Sequence, residues 1–166
     1  MLNQQKGLSL IGVLVAIFIT TIGLMASLAL ANMSIKGSSL GEMKLIASGL
    51  AQEGVEIVRD TRRAHPDWID WEWYGDGGSI ATSSSQNFVV QYNQQGLMSF
   101  VNTPLSLAAS GFYVYDADPS NNTEFYRKVT LTKVSFEELK VVVEIKWQLK
   151  GNWYYLIVQD ELWNWK

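Results

Sequence analysis

The chain has 166 residues, no cysteine and a formal net charge of −3 at pH 7. The lack of cysteine excludes a disulfide and a cysteine metal site, and the weakly acidic balance provides no basic surface for nucleic acid. Charged residues make up 17% of the chain, which is low for a soluble protein and is typical of a chain with a long apolar segment.

A long apolar run occupies Leu8–Ala31, and no charged residue lies between Lys6 and Lys36. About 20 apolar residues are enough for a helix to cross the hydrocarbon core of a bilayer. The few polar side chains can hydrogen-bond back to their own helix; they are Ser9, Thr20, Thr21 and Ser27. Because no polar stripe is left for water, the run predicts a membrane span or a helix buried on all sides.

A basic residue and a glycine stand just before this run, and an apolar residue, a serine and two further apolar residues open it. These positions are Lys6, Gly7, Leu8, Ser9, Leu10 and Ile11. The pattern resembles the processing site of type IV prepilins and type II secretion prepseudopilins. The resemblance implies a leader over residues 1–7, cleavage between Gly7 and Leu8, and N-methylation of Leu8 by a membrane peptidase.

The apolar helix would remain in the mature protein under this reading, whereas a secretory signal peptide is removed with its apolar run. Two alternatives stay open. Ala29, Ala31 and Ser34 could form an ordinary signal-peptide cleavage site. The run could also be an uncut signal anchor.

The chain departs from the family pattern at Gly12, since the fifth mature position is usually Glu. In the family that Glu is thought to pair with the N-terminal amine of a neighbouring subunit, and a carboxylate in hydrocarbon needs such a partner. The secretion pseudopilin that lacks it is placed at the filament tip. Gly12 therefore favours a minor, initiating or tip-located subunit, unless this lineage simply tolerates a small residue here.

Glycines and serines in Ser34–Gly41 suggest a short break or a bend, after which helical periodicity returns. We predict an amphipathic helix over 34–65 that ends at Pro66, with i,i+3 ion pairs Glu56–Arg59 and Asp60–Arg63. Its apolar stripe needs a partner surface. The stripe consists of Leu40, Met43, Ile46, Ala47, Leu50, Gly54, Ile57, Val58 and Thr61.

Aromatic residues crowd into the acidic segment that follows, at Trp68, Trp71, Trp73 and Tyr74. Such a cluster either caps a small core or forms a surface for a subunit or ligand, and both interpretations stay open. His65, the only histidine, is interpreted as a helix-end residue and not as a catalyst or ligand.

The rest of the chain predicts strands at Asn87–Tyr92, Gly111–Asp116, Glu124–Val134, Leu139–Leu149 and Trp153–Trp163. The fourth alternates, placing on one face Val141, Val143, Ile145 and Trp147. Hairpins at Ser135–Glu138 and Lys150–Asn152 would give a three- to four-stranded meander. Tyr126–Lys166 also resembles the end of minor-pilin-like proteins. The expected fold is α+β and pilin-like: a long N-terminal helix, transmembrane over 8–33 and then amphipathic, packed on a C-terminal antiparallel sheet in a globular region over 66–166.

One oxygen-rich loop could hold Ca²⁺, through Asp116, Asp118, Asn121 and Glu124. These residues are also typical of ordinary turns, which we favour, and no cofactor is expected. The acidic pairs Glu137–Glu138 and Asp160–Glu161 are expected to be solvated. Because there is no nucleophile elbow, phosphate loop or histidine triad, the sequence does not predict an enzyme.

The resemblance implies a structural subunit, a minor pilin or pseudopilin, held as a single-pass protein of the cytoplasmic membrane with its N-terminus inside. Its partners would be the membrane, other pilin subunits, the prepilin peptidase and the assembly machinery, and its final place an extracellular filament. Two alternatives are a tip adhesin or other binding module, for which DNA is disfavoured by the charge, and a signal-anchored envelope protein unrelated to filaments.

Overall fold

The computed structural model describes residues 10–64, 84–94, 96–115 and 119–164. These residues form one α-helix, α1 (Leu10–Ala64), and a short 3₁₀ turn, Pro119–Asn121. They also form seven strands: β1 (Ser85–Val89), β2 (Met98–Ser99), β3 (Ser106–Leu107), β4 (Tyr113–Val114), β5 (Phe125–Lys133), β6 (Glu138–Leu149) and β7 (Asn152–Trp163).

Helix α1 is continuous, so the break suggested for Ser34–Gly41 does not occur. Each glycine in a helix costs about 1 kcal/mol relative to alanine, but extending an existing helix is far cheaper than starting a new one. The helix therefore continues through the weak stretch and ends at Ala64, close to Pro66. The chain divides into two units, Met1–Glu42 and Met43–Lys166, and α1 contributes residues to both.

The main sheet has five strands in the order β2-β1-β5-β6-β7, and its neighbouring strands are antiparallel. The predicted meander is confirmed as β5-β6-β7, and β1 extends it by pairing with β5 from Ser85↔Thr132 to Phe88↔Val129. The predicted strand Gly111–Asp116 is only the two-residue β4, which pairs with β3 in a separate sheet. Strands β2 and β3 were not predicted, because two residues are too short to show alternation.

The hairpins form where the sequence places them. Lys150 and Gly151 connect β6 to β7 with φ values of 52° and 82°. Two consecutive positive φ values define the type I′ turn, whose twist matches that of the paired strands. Between β5 and β6, Val134 donates a backbone hydrogen bond to Glu138 O at 3.0 Å.

In the second unit, α1 buries a stripe against the sheet: Ala47, Leu50, Ala51, Gly54, Val55, Val58 and Thr61. The expected stripe is correct in its centre but rotated, since Ala51 and Val55 are buried while Ile46 and Ile57 are half-buried. Gly54 lies over β6, where an added Cβ would come 3.0 Å from Val143 Cγ1. The small residues thus let the helix approach the sheet closely.

Strand β6 alternates as predicted, and its helix-facing side chains are essentially inaccessible: Leu139, Val141, Val143, Ile145 and Trp147. Burial of such side chains contributes about 1.5–3 kcal/mol each. The contact between the second part of α1 and the sheet therefore forms the core of this unit.

Candidate functional site

The first unit presents an apolar helical surface. We call Leu10–Glu42 the anchor segment of α1, and every residue of it from Leu10 to Ser38 is exposed within this chain. Its large apolar side chains face all directions around the helix: Leu10, Ile11, Val13, Leu14, Val15, Ile17, Phe18, Ile19, Ile22, Leu24, Met25, Leu28, Leu30, Met33 and Ile35. A surface of this kind requires lipid or other protein to cover it.

In length and composition the anchor segment meets the requirement for a membrane span. Its most apolar 18-residue window has a mean hydropathy of 2.5, and none of that window is buried within the chain. With a rise of about 1.5 Å per residue, such a window spans most of a hydrocarbon core about 30 Å thick.

The hydroxyl groups of Thr20, Thr21 and Ser27 in the anchor segment find their hydrogen-bond partners within the helix. Thr20 Oγ1 donates to Ala16 O at 3.0 Å, Thr21 Oγ1 to Ile17 O at 2.6 Å, and Ser27 Oγ to Gly23 O at 2.9 Å. The prediction that these side chains bond back to their own helix is confirmed for these three residues. Each hydroxyl is therefore compatible with a hydrocarbon environment.

Gly12 and Gly23 leave open places in the most apolar part of this surface. A Cβ added at Gly12 or Gly23 would meet nothing within 4 Å. Small residues let two helix backbones come close when helices pack in a membrane or bundle. Gly12 also means that the anchor segment has no carboxylate in its first turns, and its first charged residue is Lys36.

The other motif residues, Lys6, Gly7, Leu8 and Ser9, lie outside the described residues, as do His65 and the aromatic cluster Trp68, Trp71, Trp73 and Tyr74. Of the loop considered for Ca²⁺, Asp116 and Asp118 also lie outside. Asn121 ends the 3₁₀ turn, and both it and Glu124 are exposed. Within the described ranges, no three His, Cys, Asp or Glu side chains are grouped closely enough to hold a metal ion.

The second unit is held together by a buried cation that the sequence analysis missed. Arg127 of β5 faces the helix with a fully buried side chain. Its Nη2 donates to Val90 O at 2.6 Å and its Nη1 to Leu50 O at 3.3 Å. Nη1 also lies 3.2 Å from Glu53 Oε1, an ion pair that lacks hydrogen-bond geometry. One guanidinium thus connects α1, the end of β1 and β5.

Tyr115 adds two further hydrogen bonds to this arrangement. Its hydroxyl donates to Arg127 O at 3.0 Å, and its backbone N–H donates to Gln91 Oε1 at 2.9 Å. Burial raises the pKa of the Tyr115 hydroxyl, and the nearby Arg127 guanidinium partly opposes that effect. The phenol therefore stays neutral and keeps donating over the physiological range.

A signal for Arg127 was present in the alternation of β5. Phe125, Val129 and Leu131 are buried helix-facing residues, and Arg127 occupies the same face. A lone arginine among alternating apolar residues could have been read as a buried, paired cation, because charges are buried only with partners.

Surface charges join the helix end to β7. Arg59 Nε donates to Asp160 Oδ2 at 3.0 Å, and Arg59 also pairs with Glu56. The hydrogen bond with Asp160 is the main cause of the raised pKa of Arg59, followed by the charge of that carboxylate. The predicted pairs Glu56–Arg59 and Asp60–Arg63 are confirmed. The expectation that Asp160 is merely solvated is wrong, because the end of α1 brings Arg59 against it.

Comparison with known proteins identifies the N-terminal region. Residues 2–28 match the family model of the prokaryotic N-terminal methylation motif. Searches of curated proteins and of solved structures found no significant match.

The motif is the prepilin-type signal of type IV pilins and pseudopilins, and the fold is the pilin-like combination of a long N-terminal helix with an antiparallel sheet. Motif and fold together support a pilin-like or pseudopilin-like subunit, and the family that carries this motif is structural rather than catalytic. The motif implies association with a membrane, with other pilin subunits and with a prepilin peptidase.

Proposed function

We propose that this chain is a minor pilin or pseudopilin, a low-copy subunit of a type IV pilus-like filament that initiates assembly or sits at the tip. The observation that carries the proposal is Gly12 within the matched motif of residues 2–28. A subunit without a carboxylate at this place lacks the charge that would receive the N-terminal amine of a neighbour. The subunit that starts the filament, at its tip, needs that contact least.

The precursor is held in the cytoplasmic membrane by residues 8–33, with residues 1–7 inside and the region after the helix outside. A prepilin peptidase cuts between Gly7 and Leu8 and methylates the Leu8 amine. Support comes from the motif match and from the exposed apolar surface of the anchor segment. During assembly, contacts with the helices of other subunits replace the contacts with lipid.

Gly12 and Gly23 assist that replacement, because a neighbouring helix can approach the backbone where no Cβ projects. The hydroxyls of Thr20, Thr21 and Ser27 are satisfied internally, so they cost little in either environment. The anchor segment is thus suited to both lipid and a helical bundle.

The proposal is tested by quantifying the chain in sheared extracellular filaments from cells that produce it with its cognate peptidase. We expect a low ratio to the major subunit, and no chain in the filaments when the peptidase is inactive. The variant Gly12→Glu supplies the missing carboxylate and should raise the number of copies per filament. A chain present at the level of the major subunit, or in filaments without processing, would contradict the proposal.

A further inference from the structure

The outer edge of the main sheet is long, and within the described residues no strand covers it. Strand β7 is the last strand in the order β2-β1-β5-β6-β7, and no described strand pairs with its far side. It has 12 residues, which correspond to about 40 Å of extended chain. The opposite edge strand, β2, has only two residues. Natural proteins commonly keep edge strands short to avoid unwanted pairing, and β7 is an exception.

The composition of β7 also lacks the usual protection. Its sequence, NWYYLIVQDELW, contains no Pro, Lys, Arg or Gly. Charged side chains, prolines and bulges are the devices that block an edge, and only Asp160 and Glu161 carry charge here. Asp160 lies on the opposite, half-buried face, where it pairs with Arg59. Glu161 is the acidic group on the exposed face of the strand, where its register partner in β6 is Lys140.

The hairpin fixes which backbone groups point outward. With the two-residue turn Lys150–Gly151, the pair Leu149↔Asn152 closes the hairpin by exchanging both hydrogen bonds. Even-numbered residues of β7 then bond to β6, and odd-numbered residues direct N–H and C=O away from the sheet. Arg62 Nη2 donates to Trp163 O at 3.1 Å, which agrees with this assignment and satisfies the last outward carbonyl.

The odd-numbered residues also form the exposed face, with Trp153, Tyr155 and Ile157 exposed by 45%, 59% and 62%. Gln159 and Glu161 continue this row, with Gln159 Nε2 donating to Glu161 Oε1 at 3.3 Å. The outer row is therefore apolar toward the hairpin and carries one carboxylate, Glu161, toward the end of α1. A docking strand must therefore place apolar side chains near the hairpin and a basic side chain near Glu161, which also fixes its register.

We propose that the free edge of β7 binds an extended segment of a partner protein, which adds a strand to the sheet. The partner segment carries apolar side chains against Trp153, Tyr155 and Ile157 and a Lys or Arg opposite Glu161. A second copy of β7 would fit less well, because it contains no basic residue. Backbone hydrogen bonds supply affinity and the alternate side chains supply specificity, as in other strand additions.

The test uses the full chain in detergent micelles and a peptide that copies Tyr126–Lys133 (YRKVTLTK), an alternating sequence with basic residues. Amide hydrogen exchange is measured by NMR. Without peptide, the amides of residues 153, 155, 157, 159 and 161 should exchange at least tenfold faster than their even-numbered neighbours. Bound peptide should slow the odd-numbered amides at least tenfold.

Two controls isolate the backbone. A peptide N-methylated at the positions of Val129 and Thr130 lacks a central N–H on each of its edges, so it should protect the odd-numbered amides at least tenfold less at the same concentration. In the chain, Ile157→Pro removes one outward N–H without removing a bond to β6, and should weaken binding at least tenfold. Ile157→Val should leave binding unchanged, and unchanged exchange of the even-numbered amides shows that the fold is intact.

Glu161→Gln, at an exposed position, should weaken binding of this basic peptide severalfold.

Three results would overturn the proposal. Odd-numbered amides that are already protected in the monomer would mean that the chain covers its own edge. A dimer in sedimentation that Ile157→Pro abolishes would mean that the occupant is a second copy. Peptide binding that leaves the odd-numbered amides unprotected, or no binding at all, would mean that the edge is not a strand acceptor of this chemistry.

Discussion

The anchor segment, Leu10–Glu42, and the remaining part of α1, Met43–Ala64, belong to one continuous helix but have opposite relations to their surroundings. Glycine shows the difference most clearly. A Cβ at Gly23 would meet nothing within 4 Å, whereas one at Gly54 would lie 3.0 Å from Val143 Cγ1. Gly23 therefore lies on an exposed surface with room for a neighbouring helix, whereas Gly54 is already packed closely against the sheet.

Polar groups differ in the same way. In the anchor segment, the hydroxyls of Thr20, Thr21 and Ser27 bond to carbonyls of their own helix. In the second part, Leu50 O and Glu53 contact Arg127 of the sheet. The secondary structure is therefore the same along α1, but the surroundings differ. The second part packs on the sheet of its own chain, whereas the anchor segment is exposed within the chain. Most predictions below test the internal contacts of the second unit, and one pair of glycine substitutions compares the two parts of the helix directly.

The largest expected effect is on the buried cation. Arg127→Ala removes the donors to Leu50 O and Val90 O, both in the core, and leaves a cavity. We expect a loss of about 3 kcal/mol in the free energy of unfolding, measured by urea denaturation in micelles. Lys128→Ala removes an outward-facing ion pair with Glu144 and should cost less than about 1 kcal/mol. Equal effects would show that Arg127 does not connect helix and sheet.

The two glycines give a matched pair. Gly54→Ala pushes a methyl group against Val143 and Arg127 and should lower the free energy of unfolding by about 1–3 kcal/mol. Gly23→Ala meets no atom in the chain and should leave unfolding of the sheet-bearing unit unchanged. It should instead reduce incorporation into filaments, because a neighbouring helix loses its close approach. The comparison fails if Gly54→Ala is neutral, or if Gly23→Ala destabilises the isolated chain.

Alkaline pH should weaken the second unit through Tyr115. Burial raises the pKa of this phenol in the folded state above its unfolded value, so its contribution is complete below about pH 10 and is lost as pH rises through the folded pKa. We expect the free energy of unfolding to fall more steeply above pH 10 in the wild type than in Tyr115→Phe. Parallel pH profiles for the two proteins would contradict the assignment.

Smaller effects are expected at the end of α1. Asp160→Asn weakens the half-buried pair with Arg59 and should cost less than about 1 kcal/mol. Asp60→Asn affects the exposed pair with Arg63 and should cost a few tenths of a kcal/mol at most. Thermal unfolding at low and high salt measures both, and the reverse order would argue against the Arg59–Asp160 contact.

No effect is expected from calcium. We propose that the segment around Asn121 and Glu124 is an ordinary turn, since both described residues are exposed. Titration calorimetry of the full chain with millimolar Ca²⁺ should give no heat of binding. A saturable heat that disappears in Asp118→Asn would establish a calcium site there.

The sequence predicted those elements whose residue pattern extends over many positions. The long run without charged residues identified the anchor segment, and strict alternation placed on the buried face of β6 the side chains of Val141, Val143, Ile145 and Trp147. It could not predict β2 and β3, because two residues are too short to show alternation. Arg127 was missed for a different reason, since its partners Leu50 O and Val90 O are backbone atoms far away in sequence.

The central claim is that the exposed helix of the first unit is a processed filament helix. It is tested most directly by the intact mass of the N-terminal peptide from cells with and without an active prepilin peptidase. We predict a methylated chain that begins at Leu8 when the peptidase is active and an uncut chain when it is not. A chain that begins near Asn32 in both cases would contradict the account, because the apolar helix would then be a discarded signal peptide.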